Sequence, residues 1–448
     1  MSGPLEWSLF SGPLPIVLLI GAAAAGGFLL FRSDRHWRTR VLPAVAVGSV
    51  LVTLGLAWVV NSVWRPFPDA LPLSIWAWIG VIVAAAALAV AHVVSARWWK
   101  KAIAVVAAVS ILAAGANQIN RFYGYYPSAA ALLELPLPHQ LPLPPIQHGG
   151  GRAGSGSPAS APTKVWTAPP NMPSAGAVSE VNIPGVRSGF PARPGWVYLP
   201  PAYLTANRPA LPVLVLITAQ PGTTRGWIDA GRVITIMDAF AADHAGLAPM
   251  VVMPDPLGST LANPLCADTS LGKADTYLAK DVPAWIAAHL QVDPNTAHWA
   301  VGGFSFGGTC SLQLAVNHPR LFPTFLDISG QNAPTLGSPQ LTVDRAFRGD
   351  ARAFATINPL DILAAAHRGY GRLLCGCRAP FTGVAGTLVV GSLDRVFYSQ
   401  QRQVQVAAVG AGMSIRWLEM PGGHNWHVAA AALKQVLPWL GRRMGLTR

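Results

Sequence analysis

The chain has 448 residues, a net charge of +13, a mean hydropathy of +0.38 and only 11% charged residues. A soluble domain carries roughly a quarter charged residues, so this average argues against a wholly soluble protein and for an apolar membrane part joined to a globular one. The basic residues form no consecutive arm and no zinc-finger spacing occurs, which excludes the usual nucleic-acid binders and leaves a basic surface suited to an anionic membrane.

Four apolar stretches come first, at about Leu14 to Phe31, Val41 to Val63, Leu73 to Ser95 and Ala102 to Ile119. Each approaches the roughly 20 residues a helix needs to cross a bilayer core. The first is no signal peptide, because no basic segment precedes it and Arg32, Arg35, Arg38 and Arg40 follow it directly. Loop one, with those four arginines against Asp34, and loop three, Arg97-Trp98-Trp99-Lys100-Lys101, are basic; loop two, around Arg65 and Asp69, is balanced. Positive charge marks the cytoplasmic side. The N-terminus and everything after the fourth span are therefore expected outside, in a multi-pass protein of the cell membrane. Trp76, Trp78, Trp98 and Trp99 sit near span ends as interfacial anchors. His92 is the ionisable residue inside a span, so the spans read as an anchoring bundle rather than a transport path.

Domain boundaries follow composition: 1–120 as the membrane region, 121–174 as a linker rich in Pro, Gly, Ala and Ser, and 175–448 as the catalytic domain. The linker composition buries too little apolar surface for a core and predicts a partly extended tether. It contains His148-Gly149-Gly150-Gly151, which matches an oxyanion motif of lipases but lacks a preceding strand, and it is assigned to the linker.

Beyond it, apolar runs alternate with helical segments, the pattern of a mostly parallel sheet with helices on both faces. The strands are expected at Val178 to Ile183, Trp196 to Leu199, Leu211 to Ile217, Pro249 to Met253, His298 to Val301, Phe322 to Ile328, Gly386 to Val390 and Ser414 to Glu419. Helices are expected at Ala230 to Ala242, Ala274 to His289, Thr309 to Asn317, Ser399 to Val409 and Trp426 to Trp439.

The chemical signal is Gly302-Gly303-Phe304-Ser305-Phe306-Gly307-Gly308, a G-x-S-x-G between an apolar strand and a helix. A nucleophilic serine on a sharp strand-to-helix turn needs glycine on both flanks, and the helix that follows offers free N–H groups to an oxyanion. The partners of such a serine follow in the order acid, then histidine. Asp394 comes just past the strand Gly386 to Val390, whereas Asp327 lies within a strand and Asp361 in a first helical turn. His424 directly follows Gly422-Gly423 on the loop after the last strand; His427, three residues on, reads as packing or substrate contact. His424-x-x-His427 lacks the glutamate of a zinc motif, so neither metal nor cofactor is expected. The backbone N–H of Phe306 is one expected oxyanion donor, and that of Gln220, in the loop Ala219-Gln220-Pro221-Gly222, the second. Of the four cysteines, Cys266 and Cys310 are the candidate disulfide, because Cys375 and Cys377 are too close for an unstrained bond.

These residues resemble the esterase family that includes esterase D and the antigen 85 mycolyltransferases. The resemblance covers about Ala177 to Leu440 and rests on Val197-Tyr198-Leu199-Pro200-Pro201-Ala202-Tyr203, Gln220-Pro221-Gly222, the Gly303 to Gly307 elbow, and Gly423-His424 with Trp426 two positions on. It implies an α/β-hydrolase fold and acyl-ester chemistry. Four spans before such a domain resemble membrane-bound esterases of mycolate-bearing actinobacteria. Two features depart from the mycolyltransferases: Asp394 stands where they carry a glutamate, and Phe306-Gly307-Gly308 differs from their elbow. The leading expectation is a membrane-anchored serine esterase acting on an acyl ester of the cell envelope. The alternatives are an acyltransferase using a sugar or lipid hydroxyl, a binding protein on an inactive hydrolase fold, and a transporter with an attached domain.

Overall fold

The computed structural model describes residues 3–65, 70–95, 97–146, 166–372 and 380–447. The motif at His148 to Gly151, Asp69, and Cys375 with Cys377 lie outside the described residues. The chain divides into two compact units, Met1–Leu135 and Pro136–Arg448.

The first unit is helical: α1 (Pro13–Leu30), α2 (Leu42–Trp58), α3 (Leu73–Ser95), α4 (Trp98–Tyr123) and a short α5 (Ala129–Leu132). Wider turns at Trp37–Val41 and Val59–Trp64 extend α2 at both ends, giving a continuous span Trp37–Trp64. All four long helices are apolar and long enough to cross a membrane. Small residues set the packing: Ala85 and Ala89 of α3 meet Ala104 and Ala107 of α4 beside Leu29 and Trp37. Short side chains let helix backbones approach closely where water supplies no driving force. Both α3 and α4 are buried chiefly on these stripes. His92 is buried, with Nδ1 3.0 Å from the Leu88 carbonyl and its ring edge-on to Trp37 at 4.4 Å. It is engaged by its own helix and by aromatic packing. The fourth helix outruns the expected Ala102 to Ile119 at both ends. It stops at Gly124, whose φ of +66° turns the chain while its N–H bonds the Asn120 carbonyl.

The second unit is built on an eight-stranded sheet. Its strands are β1 (Ala177–Val181), β2 (Gly195–Leu199), β3 (Val213–Ile217) and β4 (Met250–Met253). A separate hairpin, β5 (Asp268–Thr269) with β6 (Gly272–Lys273), comes next, and then β7 (Ala300–Phe304), β8 (Thr324–Ile328), β9 (Ala385–Gly391) and β10 (Ser414–Met420). The order across the sheet is β1-β2-β4-β3-β7-β8-β9-β10. Within this sheet the β1–β2 and β2–β4 pairings are antiparallel and the rest parallel. The central strands β2, β3, β4, β7, β8 and β9 are buried along their whole length, which explains why they read as largely apolar runs, broken in β8 by Thr324 and Asp327 and in β9 by Thr387. The edge strand β10 alternates in exposure instead.

The connections are α6 (Gly226–Asp229) and α7 (Val233–Ala242) after β3, α8 (Ala274–Thr276) and α9 (Val282–His289) after the hairpin, and α10 (Phe306–Asn317) after β7. Between β8 and β9 run α11 (Pro339–Phe347), α12 (Ala351–Ala355) and α13 (Pro359–Arg372); α14 (Arg395–Gly410) follows β9 and α15 (Trp426–Arg443) follows β10. Both α10 and α15 touch β7 and β8, and α15 packs on α7 while α10 packs on α13. Helices therefore cover both faces of the sheet.

Two segments of the expected tether make defined contacts. Residues 139–141 run along the outer edge of β1, where the Val178 N–H donates to the His139 carbonyl and the Leu141 N–H to the Val178 carbonyl. An edge strand presents unpaired backbone groups, and this stretch satisfies them. The Trp166 indole N–H likewise donates to the Ala245 carbonyl at 2.9 Å.

Candidate active site

Ser305 sits between β7 and α10 with φ +58° and ψ −117°, a conformation that L residues rarely adopt. Its N–H is held by the Ile328 carbonyl of β8 at 2.8 Å. Close approach dictates the flanking glycines. A Cβ on Gly303 would lie 2.3 Å from the Gly307 backbone, and one on Gly307 would lie 2.1 Å from the Ile217 carbonyl oxygen at the end of β3. The turn thus compresses the strand, the helix start and the neighbouring strand into one site, with Oγ projecting from it.

The other two residues come from adjacent strand ends. The Ser392 N–H bonds the Met420 carbonyl and the Leu393 N–H bonds the Gly422 carbonyl, so the loops leaving β9 and β10 are laced together. Asp394 occupies the N-cap position of α14, yet its side chain caps nothing there. Its Oδ2 lies 2.8 Å from His424 Nδ1 instead, and it is buried. The next helix is capped independently, by Asn425 Oδ1 accepting from the Val428 N–H. That cap fixes the chain immediately after His424. His424 Nε2 lies 2.8 Å from Ser305 Oγ. A carboxylate can only accept, so Nδ1 carries the proton, and Nε2 is left to accept from the serine hydroxyl. The geometry is that of a nucleophile, a base and an orienting acid in one line.

Two aromatic rings pack against the imidazole. Phe397 stacks on it at 4.1 Å and Phe304 leans on it at 4.9 Å, with Trp426 edge-on to Phe304. Phe304 and Phe397 were not singled out by sequence. The signal available was their spacing: one residue before the serine, and one helical turn after the acid.

Phe306 is the first residue of α10, where a helix leaves its N–H groups without internal acceptors. The loop after β3 lies against this turn, since the Ile217 and Thr218 carbonyls are the atoms nearest Gly307. Gln220 is on that loop, and its side-chain amide donates to the Leu261 carbonyl at 3.0 Å. Any role it has towards an oxyanion falls to its main chain. Cys266 and Cys310 are joined, with Cα atoms 5.5 Å apart, and tie the loop before the β5–β6 hairpin to α10. His427 is exposed on the first turn of α15. Among the described residues no cluster of metal-ligating side chains occurs.

The rival carboxylates are engaged elsewhere. Asp361 accepts from the Asn358 side chain in the first turn of α13. Asp327 is completely buried on β8, accepting from the Gly330 N–H at 2.8 Å and from Gln401 Nε2 at 2.9 Å. Burial pushes its pKa up to about 7, against the lowering effect of these donors. An unfolded aspartate releases its proton near about 3.9. The folded form holds the proton more tightly, so the stability Asp327 contributes is complete below about pH 4 and is lost as pH rises to about 7, at up to about 1.4 kcal/mol per unit. Asp327→Asn should remove this slope: its unfolding midpoint relative to wild type should rise steadily between pH 4 and 7. Parallel curves for the two proteins would contradict the assignment.

Residues 192–440 match the family model described as "Putative esterase". The chain belongs to this esterase family. An uncharacterized protein of Corynebacterium glutamicum is 32% identical over 440 residues, covering 97% of this chain and 97% of its own, so the alignment takes in both units. Among solved structures, the S-formylglutathione hydrolase of Agrobacterium tumefaciens aligns with 61% of this chain and 98% of its own at 16% identity and a TM-score of 0.49. MPT51 of Mycobacterium tuberculosis aligns with 60% of this chain and 98% of its own at 17% identity and a TM-score of 0.41. The esterase domain thus has the α/β-hydrolase fold and follows four apolar helices fit to span a membrane.

Proposed function

We propose that this esterase is a membrane-anchored serine hydrolase that cleaves an acyl ester of the cell envelope, with Ser305 as nucleophile, His424 as base and Asp394 as its orienting acid. The observation that carries the reading is the pair of 2.8 Å contacts linking Ser305 Oγ, His424 and Asp394 in line. Ser305 Oγ attacks the ester carbonyl as His424 Nε2 takes its proton. The oxyanion rests on the Phe306 N–H and on a main-chain N–H of the loop at Gln220. Collapse passes the proton from His424 to the departing alcohol and leaves an ester on Ser305. Water, deprotonated by His424, attacks that ester, and the acid leaves as the serine regains its proton. Asp394 holds the imidazole in the required tautomer and stabilises its charged form.

Transfer to a sugar or lipid hydroxyl uses the same acyl-enzyme and differs only in what attacks it. Four spans keep the enzyme at a membrane, where lipid alcohols are concentrated, and this favours the second reading. Hydrolysis is the stronger reading because the elbow and the acid depart from the mycolyltransferase pattern. With a chromogenic ester as donor, free acid should remain the main product when trehalose, glycerol or a lipid alcohol is added at millimolar concentration. Most of the acyl group appearing on the added alcohol would replace hydrolysis by transfer.

The active site is assigned to the outer side of the cytoplasmic membrane. The basic loops after the first and third spans support this sidedness. So does the Cys266–Cys310 disulfide, which an oxidising compartment sustains. A reporter active only in the cytoplasm should work when fused after Arg40 or Lys101 and be silent at the C-terminus. The reverse pattern would put the site inside and remove the envelope substrate.

A further inference from the structure

We propose that Arg193, which touches neither Ser305 nor His424, is a positioning residue for the oxyanion hole: it holds the Ala219–Gly222 turn at the distance from the elbow that the reaction needs. The inference rests on the reading of Ser305 as nucleophile.

Arg193 lies just before β2 and reaches the loop that leaves β4. There Asp255, completely buried, accepts from Arg193 Nε at 2.9 Å, from Arg193 Nη2 at 2.8 Å and from the Arg193 backbone N–H at 2.8 Å. The Leu257 and Gly258 N–H groups donate to the same carboxylate. A two-pronged contact with a buried carboxylate fixes the plane of the guanidinium. Its remaining donors then point one way each. Nη2 also donates to the Gly222 carbonyl and Nη1 to Thr260 Oγ1, both at 3.2 Å.

Gly222 is one end of the turn that carries the expected second donor. The turn is tight: a Cβ on Gly222 would lie 2.2 Å from the Ala219 carbonyl oxygen. Two further ties run to the same segment, from the Gly222 N–H to the Thr260 carbonyl and from Gln220 Nε2 to the Leu261 carbonyl. The turn is therefore hung on residues 255–261, and Arg193 is the group that bonds both parts at once. Donors for an oxyanion work only when set in advance within a few tenths of an ångström of the developing charge. A side chain that sets the turn's position acts on the transition state more than on substrate binding.

Lysine cannot replace this arrangement, because an ammonium group lacks the planar fork that serves Asp255 and Gly222 together. Without the guanidinium, Asp255 keeps three backbone N–H donors. Arg193 is itself about a quarter exposed, so the side chain can be removed without opening the core, and a small cation can enter its place.

The test measures kcat and KM for a short chromogenic ester with the full-length protein in detergent. It compares wild type, Arg193→Ala, Arg193→Lys and Ser305→Ala. Outright loss of an oxyanion donor lowers kcat by about 100- to 1,000-fold, so misplacing one should lower it by about 10- to 100-fold, with KM changed by less than about threefold. Arg193→Lys should show the same loss while unfolding at the wild-type temperature. Guanidinium chloride at tens of millimolar should restore part of the Arg193→Ala activity, and sodium chloride at the same concentration should not. A kcat within twofold of wild type in both arginine variants would overturn the inference, as would a loss carried by KM alone or no response to guanidinium. Turnover retained in Ser305→Ala would instead overturn the reading of the nucleophile, so the two failures are separable.

Discussion

Ser305→Ala should lower ester turnover by about four to six orders of magnitude, and His424→Ala should do nearly as much, because the members of such a triad act as a unit. The double variant should be no worse than Ser305→Ala alone. The reason lies in the hydrogen bonds. Oγ has its proton acceptor at 2.8 Å, and that acceptor is oriented through Nδ1 by a buried carboxylate, also at 2.8 Å. Removing the serine leaves nothing to acylate, and removing the histidine leaves a hydroxyl with a pKa far above neutrality and no base. His427→Ala is the control. His427 is exposed and three residues past His424, so its variant should keep most of the activity. Initial rates with a chromogenic ester, normalised to folded protein, decide the matter. Comparable turnover in wild type and Ser305→Ala would contradict the assignment.

Gly307→Ala should be the most damaging single methyl group in the catalytic unit. Its Cβ would fall 2.1 Å from the Ile217 carbonyl oxygen and 2.8 Å from that of Thr218, and backbone cannot move aside as a side chain can. Either α10 lifts away from β3 or the end of β3 bends, and each carries one half of the expected oxyanion hole with it. Overpacking of this kind costs about 1–3 kcal/mol of stability, with more where only backbone can yield. Activity should fall further than stability, by about 100-fold or more, because both donors lose their relation to Oγ. A thermal unfolding curve and kcat measured together test this. A variant with wild-type kcat would mean that the turn has room the geometry does not provide.

Much of the candidate site was legible from the chain because such an arrangement leaves compositional marks. A serine on a strained turn demands glycine at Gly303 and Gly307, and the structure supplies the reason in two backbone contacts. Asp394 was separable from Asp327 by position alone: one follows a strand, the other lies inside one. The central strands were legible because burial on both faces leaves mainly apolar residues in them, most purely in β3 and β4, which hold only Val, Leu, Ile and Met. What escaped depends on tertiary contact. Spacing places Phe397 one helical turn after Asp394, but that its ring stacks on His424 follows only from the tertiary contact. The bond from Gln401 to Asp327 crosses from α14 to β8. Helices α11 and α12 are absent from the elements expected from sequence, and of α13 only the first turn at Asp361 is among them, although α11 and α13 are amphipathic and each of the three begins on a readable signal. Ser338 and Asp350 cap the first two through their side chains, and Pro359 opens the third. That residues 139–141 of the expected partly extended tether lie along β1 was not legible for a similar reason: a Pro-rich segment pairs with β1 only because that edge is there to receive it.

A serine activated as Ser305 is by His424 can be captured covalently. The full-length protein should be treated with a fluorophosphonate, digested, and its peptides weighed. One stoichiometric adduct should form, on the peptide containing Ser305. The adduct should be absent from Ser305→Ala and should form at least about 1,000-fold more slowly in His424→Ala, since an isolated serine hydroxyl reacts poorly. An adduct on any other residue, or equal labelling of wild type and Ser305→Ala, would contradict Ser305 as the activated nucleophile.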